Sequence, residues 1–189
     1  MKGQVRMLQR GFTLVELLIV VIILAILAAI VVPQFASSTD DAKISSLDTT
    51  LSNMRAAIDL YYQQHGAYPS AVVSSGGACA GGTAGTGNAD TDTAFLDQLA
   101  YYTNAAGQAC SVTDGGGGNL YPYGPYLKKR VMPENPITQD DTLTIVTAGN
   151  LVMTGDGAAG GWKFDNKTGK FIANDTNIPT GETLAFDTH

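Results

Sequence analysis

From Phe12 to Val32 the chain runs for 21 residues with a single ionisable side chain, Glu16. An apolar run of that length matches the roughly 20 residues that carry a helix across the hydrocarbon of a bilayer. The stretch before it is short and basic, with Lys2, Arg6 and Arg10 and no acid. A secretory signal would place a small-residue cleavage site after the apolar run. Here the run passes instead into Pro33-Gln34-Phe35 and on into helix-compatible sequence, so any cut is expected before it. Lys and Arg cluster on one side of the run and Asp40-Asp41 open the other. That bias places the leader in the cytoplasm and the remainder outside.

The helical pattern does not stop with the apolar run. Between Phe12 and His65 there is no glycine and one proline, Pro33, and Gly66 stands where a helix C-cap is expected. Ile44, Leu47, Leu51, Met54, Ile58 and Tyr61 are spaced three and four apart, which draws one apolar stripe at the period of a helix. Asp40, Lys43, Asp48, Asn53, Arg55 and Asp59 occupy the other faces. Residues 12–33 therefore form a helix apolar all round, and residues 34–66 an amphipathic one. Pro33 is expected to bend or locally unwind it, because proline removes a backbone hydrogen bond and crowds the preceding turn.

Residues 67–189 read as one small head. Residues 74–119 hold 11 of the 22 glycines and both cysteines, a long loop-rich stretch with a short helix expected over 94–102. Leu143–Thr147 and Leu151–Thr154 flank Ala148-Gly149-Asn150, and Trp162–Asp165 and Lys170–Ala173 flank Asn166-Lys167-Thr168-Gly169. Both patterns signal hairpins. The expected fold class is α+β: a long N-terminal helix packed on a small antiparallel sheet, which covers the amphipathic half with one face. Cys79 and Cys110 have no other metal ligands clustered near them, and outside the cytoplasm they are expected to pair. Closing a loop of about 30 residues stabilises by roughly 3–4 kcal/mol in the chain-entropy account.

Motifs for catalysis are missing: no HExxH, P-loop or CxxC appears, and His65 and His189 belong to no nucleophile–base arrangement. No enzyme activity and no cofactor is expected. Oxygen-rich segments could hold calcium. Asn88, Asp90 and Asp92 form one, and Asp175, Asn177 and Glu182 the other. Asn166-Lys167-Thr168 and Asn174-Asp175-Thr176 are N-x-T triplets, read first as turn chemistry. Lys128-Lys129-Arg130 is the one basic run, read as a solvated patch. Without the leader, eight basic residues face 17 acidic ones, and so acidic a chain is not expected to bind nucleic acid.

Gly11, Phe12, Thr13, Leu14, Val15 and Glu16 together resemble the leader junction of type IV pilins and the related pseudopilins. The resemblance is strong over residues 1–35 and extends to about Tyr68. It implies a pilin fold, cleavage between Gly11 and Phe12 by a membrane-embedded prepilin peptidase, and N-methylation of Phe12. Residues 1–11 would be the cleaved leader, 12–33 the transmembrane and filament-core helix, 34–66 the half that meets the head, and 67–189 the head. The implied partners are identical subunits, the inner membrane and the pilus or secretion assembly machinery. The implied destination is an extracellular pilus or a periplasmic pseudopilus.

The resemblance gives Glu16 a role that physical chemistry supports. A carboxylate at the centre of a membrane helix costs about 2.5–3.5 kcal/mol on insertion scales. Moving the helix from lipid into a bundle of like helices gains little hydrophobic free energy, since lipid tails are as apolar as leucine. A pair between Glu16 and the Phe12 amine of another subunit could then select register. The function implied is a structural pilin. A major pseudopilin of type II secretion is the alternative, and the segment Tyr126-Leu127-Lys128-Lys129-Arg130 with the prolines after it faintly resembles one. A monomeric membrane-tethered binding module is the rival from another class, and it predicts no cleavage and tolerance of change at Glu16.

Overall fold

The computed structural model describes residues 12–114, 117–157, 160–178 and 185–189, with the backbone alone at 32–38. The chain divides into two units, Met1–Asp41 and Ala42–His189. Helix α1 (Leu14–His65) contributes to both. Helical structure continues through Pro33 without an unwound turn.

In the first unit, Leu14–Val31 is long and apolar enough to cross a membrane, and none of it is buried. In the second unit the expected stripe turns inward. Leu47, Leu51, Met54, Ile58 and Tyr61 are buried, and Ile44 packs partly buried against them. Each such aliphatic side chain contributes about 1.5–3 kcal/mol relative to exposure. The helix ends at His65, where Gly66 takes the left-handed conformation (φ +70°) and its N–H donates to the Tyr62 carbonyl at 2.8 Å. A glycine adopts that geometry without a Cβ penalty.

A second helix, α2 (Asp92–Ala100), starts at Thr91, whose Oγ1 accepts the Ala94 N–H at 3.1 Å. It stops earlier than the sequence suggested. Tyr101 is extended, and Tyr102–Thr103 become strand β1, paired antiparallel with β2 (Ala109–Cys110). Phe95 and Leu99 of α2 join the core.

The main sheet has the order β3 (Leu143–Val146), β4 (Trp162–Asp165) and β5 (Phe171–Ala173). Strands β4 and β5 form the expected hairpin, with Trp162 opposite Ala173 and Phe164 opposite Phe171. The other hairpin does not form. Leu151–Thr154 make no strand, and β3 runs parallel to β4, with Leu143 opposite Trp162 and Val146 opposite Asp165. A parallel pair needs a crossover of about a dozen residues or more, and residues 147–161 supply it. The cause is Asp165, buried at the end of β4, whose Oδ2 accepts the N–H groups of Gly149 and Asn150 at 2.9 Å each. Those bonds lead the chain away from the edge of β3 before a returning strand can pair there. The sheet is mixed, not wholly antiparallel.

Trp162, Phe164, Phe171 and Ala173 meet the α1 stripe, Phe95, Leu99, Met132 and Phe186 in one core. Phe95 and Phe164 have centroids 4.9 Å apart at 59°. Aromatic pairs favour such inclined contacts over face-to-face stacking.

Candidate assembly interface

The first turn of α1 carries the chemistry. Thr13 precedes the helix and Glu16 is its third residue. The Glu16 N–H donates to Thr13 Oγ1 at 3.2 Å, while the Thr13 N–H and hydroxyl donate to Glu16 Oε2 at 2.9 and 2.8 Å. This is a reciprocal capping box, which satisfies backbone donors that a helix start leaves without intrahelical partners. It also places a negative charge at the positive end of the helix dipole. Sequence reading missed Thr13 as a functional residue, yet the signal was present: Thr-Leu-Val-Glu directly ahead of an apolar run. Among the described residues Glu16 Oε1 accepts no hydrogen bond, so it remains open to an outside cation. Phe12 and Glu16 are exposed, as are Leu17 to Val31 beyond them. Gly11, the other half of the expected cleavage site, lies outside the described residues.

In the head, the cysteines and a buried acid staple the glycine-rich loop. Cys79 and Cys110 form a disulfide, with Cα atoms 5.6 Å apart. Asp97, fully buried on α2, accepts the Ser74 hydroxyl at 2.7 Å and the N–H groups of Thr86 at 2.8 Å and Gly87 at 3.2 Å on Oδ2. Its Oδ1 pairs with the Arg130 guanidinium. The basic run therefore offers Lys128 and Lys129 to the surroundings, with Arg130 committed internally. Nothing in the spacing of the sequence pointed to Asp97. Gly87 is needed where it stands, because a Cβ there would meet the Ala94 backbone nitrogen at 2.2 Å.

The oxygen-rich segments serve turns and caps. Asp90 Oδ1 accepts from Asn166 Nδ2 at 2.7 Å, and Asp92 Oδ1 accepts the Thr93 N–H at 2.6 Å. Asp175 is buried, and its Oδ1 accepts the Asn177 N–H at 2.9 Å. Glu182 lies outside the described residues. Among the described residues, no three His, Cys, Asp or Glu side chains gather as a metal site. The asparagines of both N-x-T triplets, Asn166 and Asn174, are buried.

Two further groups are tuned by their surroundings. Burial raises the Asp165 carboxyl, but N–H groups of Lys167, Asn150, Thr168 and Gly149 more than offset this and hold it below the ordinary range. Burial lowers His65, which backbone bonds at Tyr61 and Asn104 oppose. Its Nδ1 lies 3.0 Å from the Tyr61 carbonyl oxygen and its Nε2 2.9 Å from Thr103 Oγ1. A neutral ring with Nδ1–H satisfies both.

With this geometry in view, the likenesses to known proteins fall into place. Residues 6–32 match the prokaryotic N-terminal methylation motif. The chain is 48% identical over 62 residues to type II secretion system core protein G of Pseudomonas aeruginosa, covering 33% of this chain and 44% of that protein. It is 41% identical over 69 residues to a fimbrial protein of Neisseria meningitidis, covering 36% and 41%. To a type IV major pilin protein, PilE1, of Neisseria gonorrhoeae it is 39% identical over 69 residues, covering 36% and 42%. The chain thus spans less than half the length of these curated relatives. No solved structure matches it significantly. A prepilin-type methylation segment followed by an α+β head supports the type IV pilin and type II secretion pseudopilin superfamily. Within it, the relatives support the pilin and the pseudopilin reading without separating them.

Proposed function

We propose that the chain is the precursor of a structural subunit of a type IV pilus-like filament. It inserts in the inner membrane through Phe12–Val32, is cut between Gly11 and Phe12 by a prepilin peptidase, is methylated at Phe12, and polymerises with identical copies. The head, residues 67–189, is displayed outside, and its role is structural. The observation that carries this reading is the unburied apolar helix Leu14–Val31 headed by the Thr13–Glu16 box, inside the segment that matches the methylation motif. That surface has no partner among the described residues, so in this reading it takes lipid first and other helices afterwards.

Because leaving lipid gains little, docking is decided by polar pairing. Glu16 keeps Oε2 on Thr13 and turns Oε1 to the methylated amine of a neighbour. Removing one partner of a buried pair costs about 3–5 kcal/mol. Glu16→Val is expected to insert and be processed but to yield few filaments under the electron microscope, and normal filaments from that variant would remove the pairing. Intact mass of the mature protein checks the processing: residues 1–11 lost, one methyl gained, two hydrogens missing for the disulfide.

The likeness to core protein G favours a second reading, a periplasmic pseudopilus of a type II secretion system. Deleting the chain separates the two: surface filaments vanish in the first case, secreted enzymes in the second.

A further inference from the structure

The segment from Lys128 to Met132 runs between two hollows of the head that share Val131 and Met132. One, of about 480 Å³, opens toward α1 at Thr50, Asn53 and Met54. Lys128 and Lys129 line it, and no acid does. The other, of about 420 Å³, opens toward α2 and the start of β3. Its exposed acids are Asp92 and Asp141. Arg130 lines it too, with its charge met by the buried Asp97. Val131 stands between the hollows and is 59% exposed.

An exposed apolar side chain is thus flanked by two lysines on one side and two aspartates on the other. Among the described residues, no ion pair reaches any of the four. The Asp92 carboxylate holds only its neighbour Thr93, accepting the N–H at 2.6 Å and the hydroxyl at 3.2 Å. Glu134, further along the segment, lines neither hollow.

We propose that this surface pairs with the same surface of a second copy, about a two-fold axis close to Val131. The two patches share one ridge, so a single partner covers both at once. Turned about that axis, the second copy sets its Asp92 and Asp141 against Lys128 and Lys129. Its own lysines then meet the aspartates of the first copy, and the two Val131 side chains meet at the centre. Such an isologous contact closes on itself and cannot propagate. It adds a pairing between copies to the proposed filament and rests on no part of that reading. Exposed ion pairs are individually weak, so the charges set orientation and partner choice more than strength.

The test uses the full chain, solubilised from membranes in mild detergent and carrying Val131→Cys. The native cysteines are joined to each other, so the introduced thiol meets only its counterpart in another copy. Mild oxidation is expected to yield a disulfide-linked dimer. Its yield should fall severalfold in about 1 M salt, which screens charges beyond about 3 Å. Val152→Cys, at a site 77% exposed, controls for chance collision and is expected to yield far less. Equal dimer from the two thiols, or a yield indifferent to salt, overturns the pairing. In the Val131→Cys chain, Lys128→Asp with Lys129→Asp is expected to lower the dimer roughly tenfold or more. Adding Asp92→Lys with Asp141→Lys is expected to restore it, a rescue that damage to the fold would not give. Reversal without loss overturns the proposal, as does loss without rescue in chains that keep their melting temperature. Should the reversed chains melt early, Lys128→Gln with Lys129→Gln decides, and an unchanged dimer overturns the proposal.

Discussion

Leu14–Val31 and Ile44–Tyr61 are equal lengths of one helix with opposite fates. The first is apolar on every face and buries none of it among the described residues. The second is apolar along one stripe and buries Leu47, Leu51, Met54, Ile58 and Tyr61 under the head. A stripe can be satisfied by a single sheet and a short helix. An all-round apolar surface cannot, and in the proposed reading lipid and other subunits cover it. Identical backbone geometry thus serves the core in one half and, in the proposed function, association in the other.

The sharpest way to break that contrast is to truncate matched positions. Ile58→Ala is expected to cost about 2–5 kcal/mol in denaturation of the detergent-solubilised full chain, followed by fluorescence of the sole tryptophan, the buried Trp162. Ile23→Ala is expected to cost less than about 0.5 kcal/mol in the same measurement. Equal costs would mean that the apolar half does support the head.

Next comes Asp97→Ala, at about 3 kcal/mol. It removes the acceptor shared by the Ser74 hydroxyl and the Thr86 and Gly87 N–H groups, leaves Ser74 and Gly87 only each other, and frees the Arg130 guanidinium. A lost partner of this kind costs about 1–3 kcal/mol, not fully additively. Proteolysis within 74–87 should rise in parallel. If the loop stays protected, the disulfide alone holds it.

Asp165→Asn ranks third, at about 1–3 kcal/mol near neutral pH. The folded carboxyl sits below its unfolded value, so its stabilisation is complete above the unfolded pKa of about 3.9 and is lost as pH falls through the folded value. Acid melting curves of the wild type should therefore fall more steeply below about pH 4 than those of the variant. Parallel curves would deny Asp165 its role in shaping the crossover.

The smallest effect concerns His65. Burial lowers its folded pKa, so its contribution is complete above the unfolded value of about 6.5 and fades as pH drops through the folded one. His65→Phe is expected to flatten the wild-type stability slope between about pH 7 and pH 5. A slope unchanged by the substitution would contradict the neutral ring placed between Tyr61 and Thr103.

What could be read in the sequence follows the same divide. Period and length were enough for α1, its buried stripe and its Gly66 cap, because those depend on neighbours three and four residues away. The β4–β5 hairpin was legible for the same reason, since its turn lies between its strands. The parallel pairing of β3 was not. It depends on Asp165 reaching back to Gly149 and Asn150, and no local pattern encodes that. Asp97 was hidden in the same way, since its partners lie on the glycine-rich loop and at Arg130. Thr13 is a different case: the capping pattern was in plain sight but was overshadowed by the charge three residues on.

The burial of Asn166 and Asn174 has a biosynthetic consequence. An oligosaccharide could reach either amide only before the polypeptide collapses, so sugar found there would be a timestamp of slow or failed maturation and not a decoration of the finished surface.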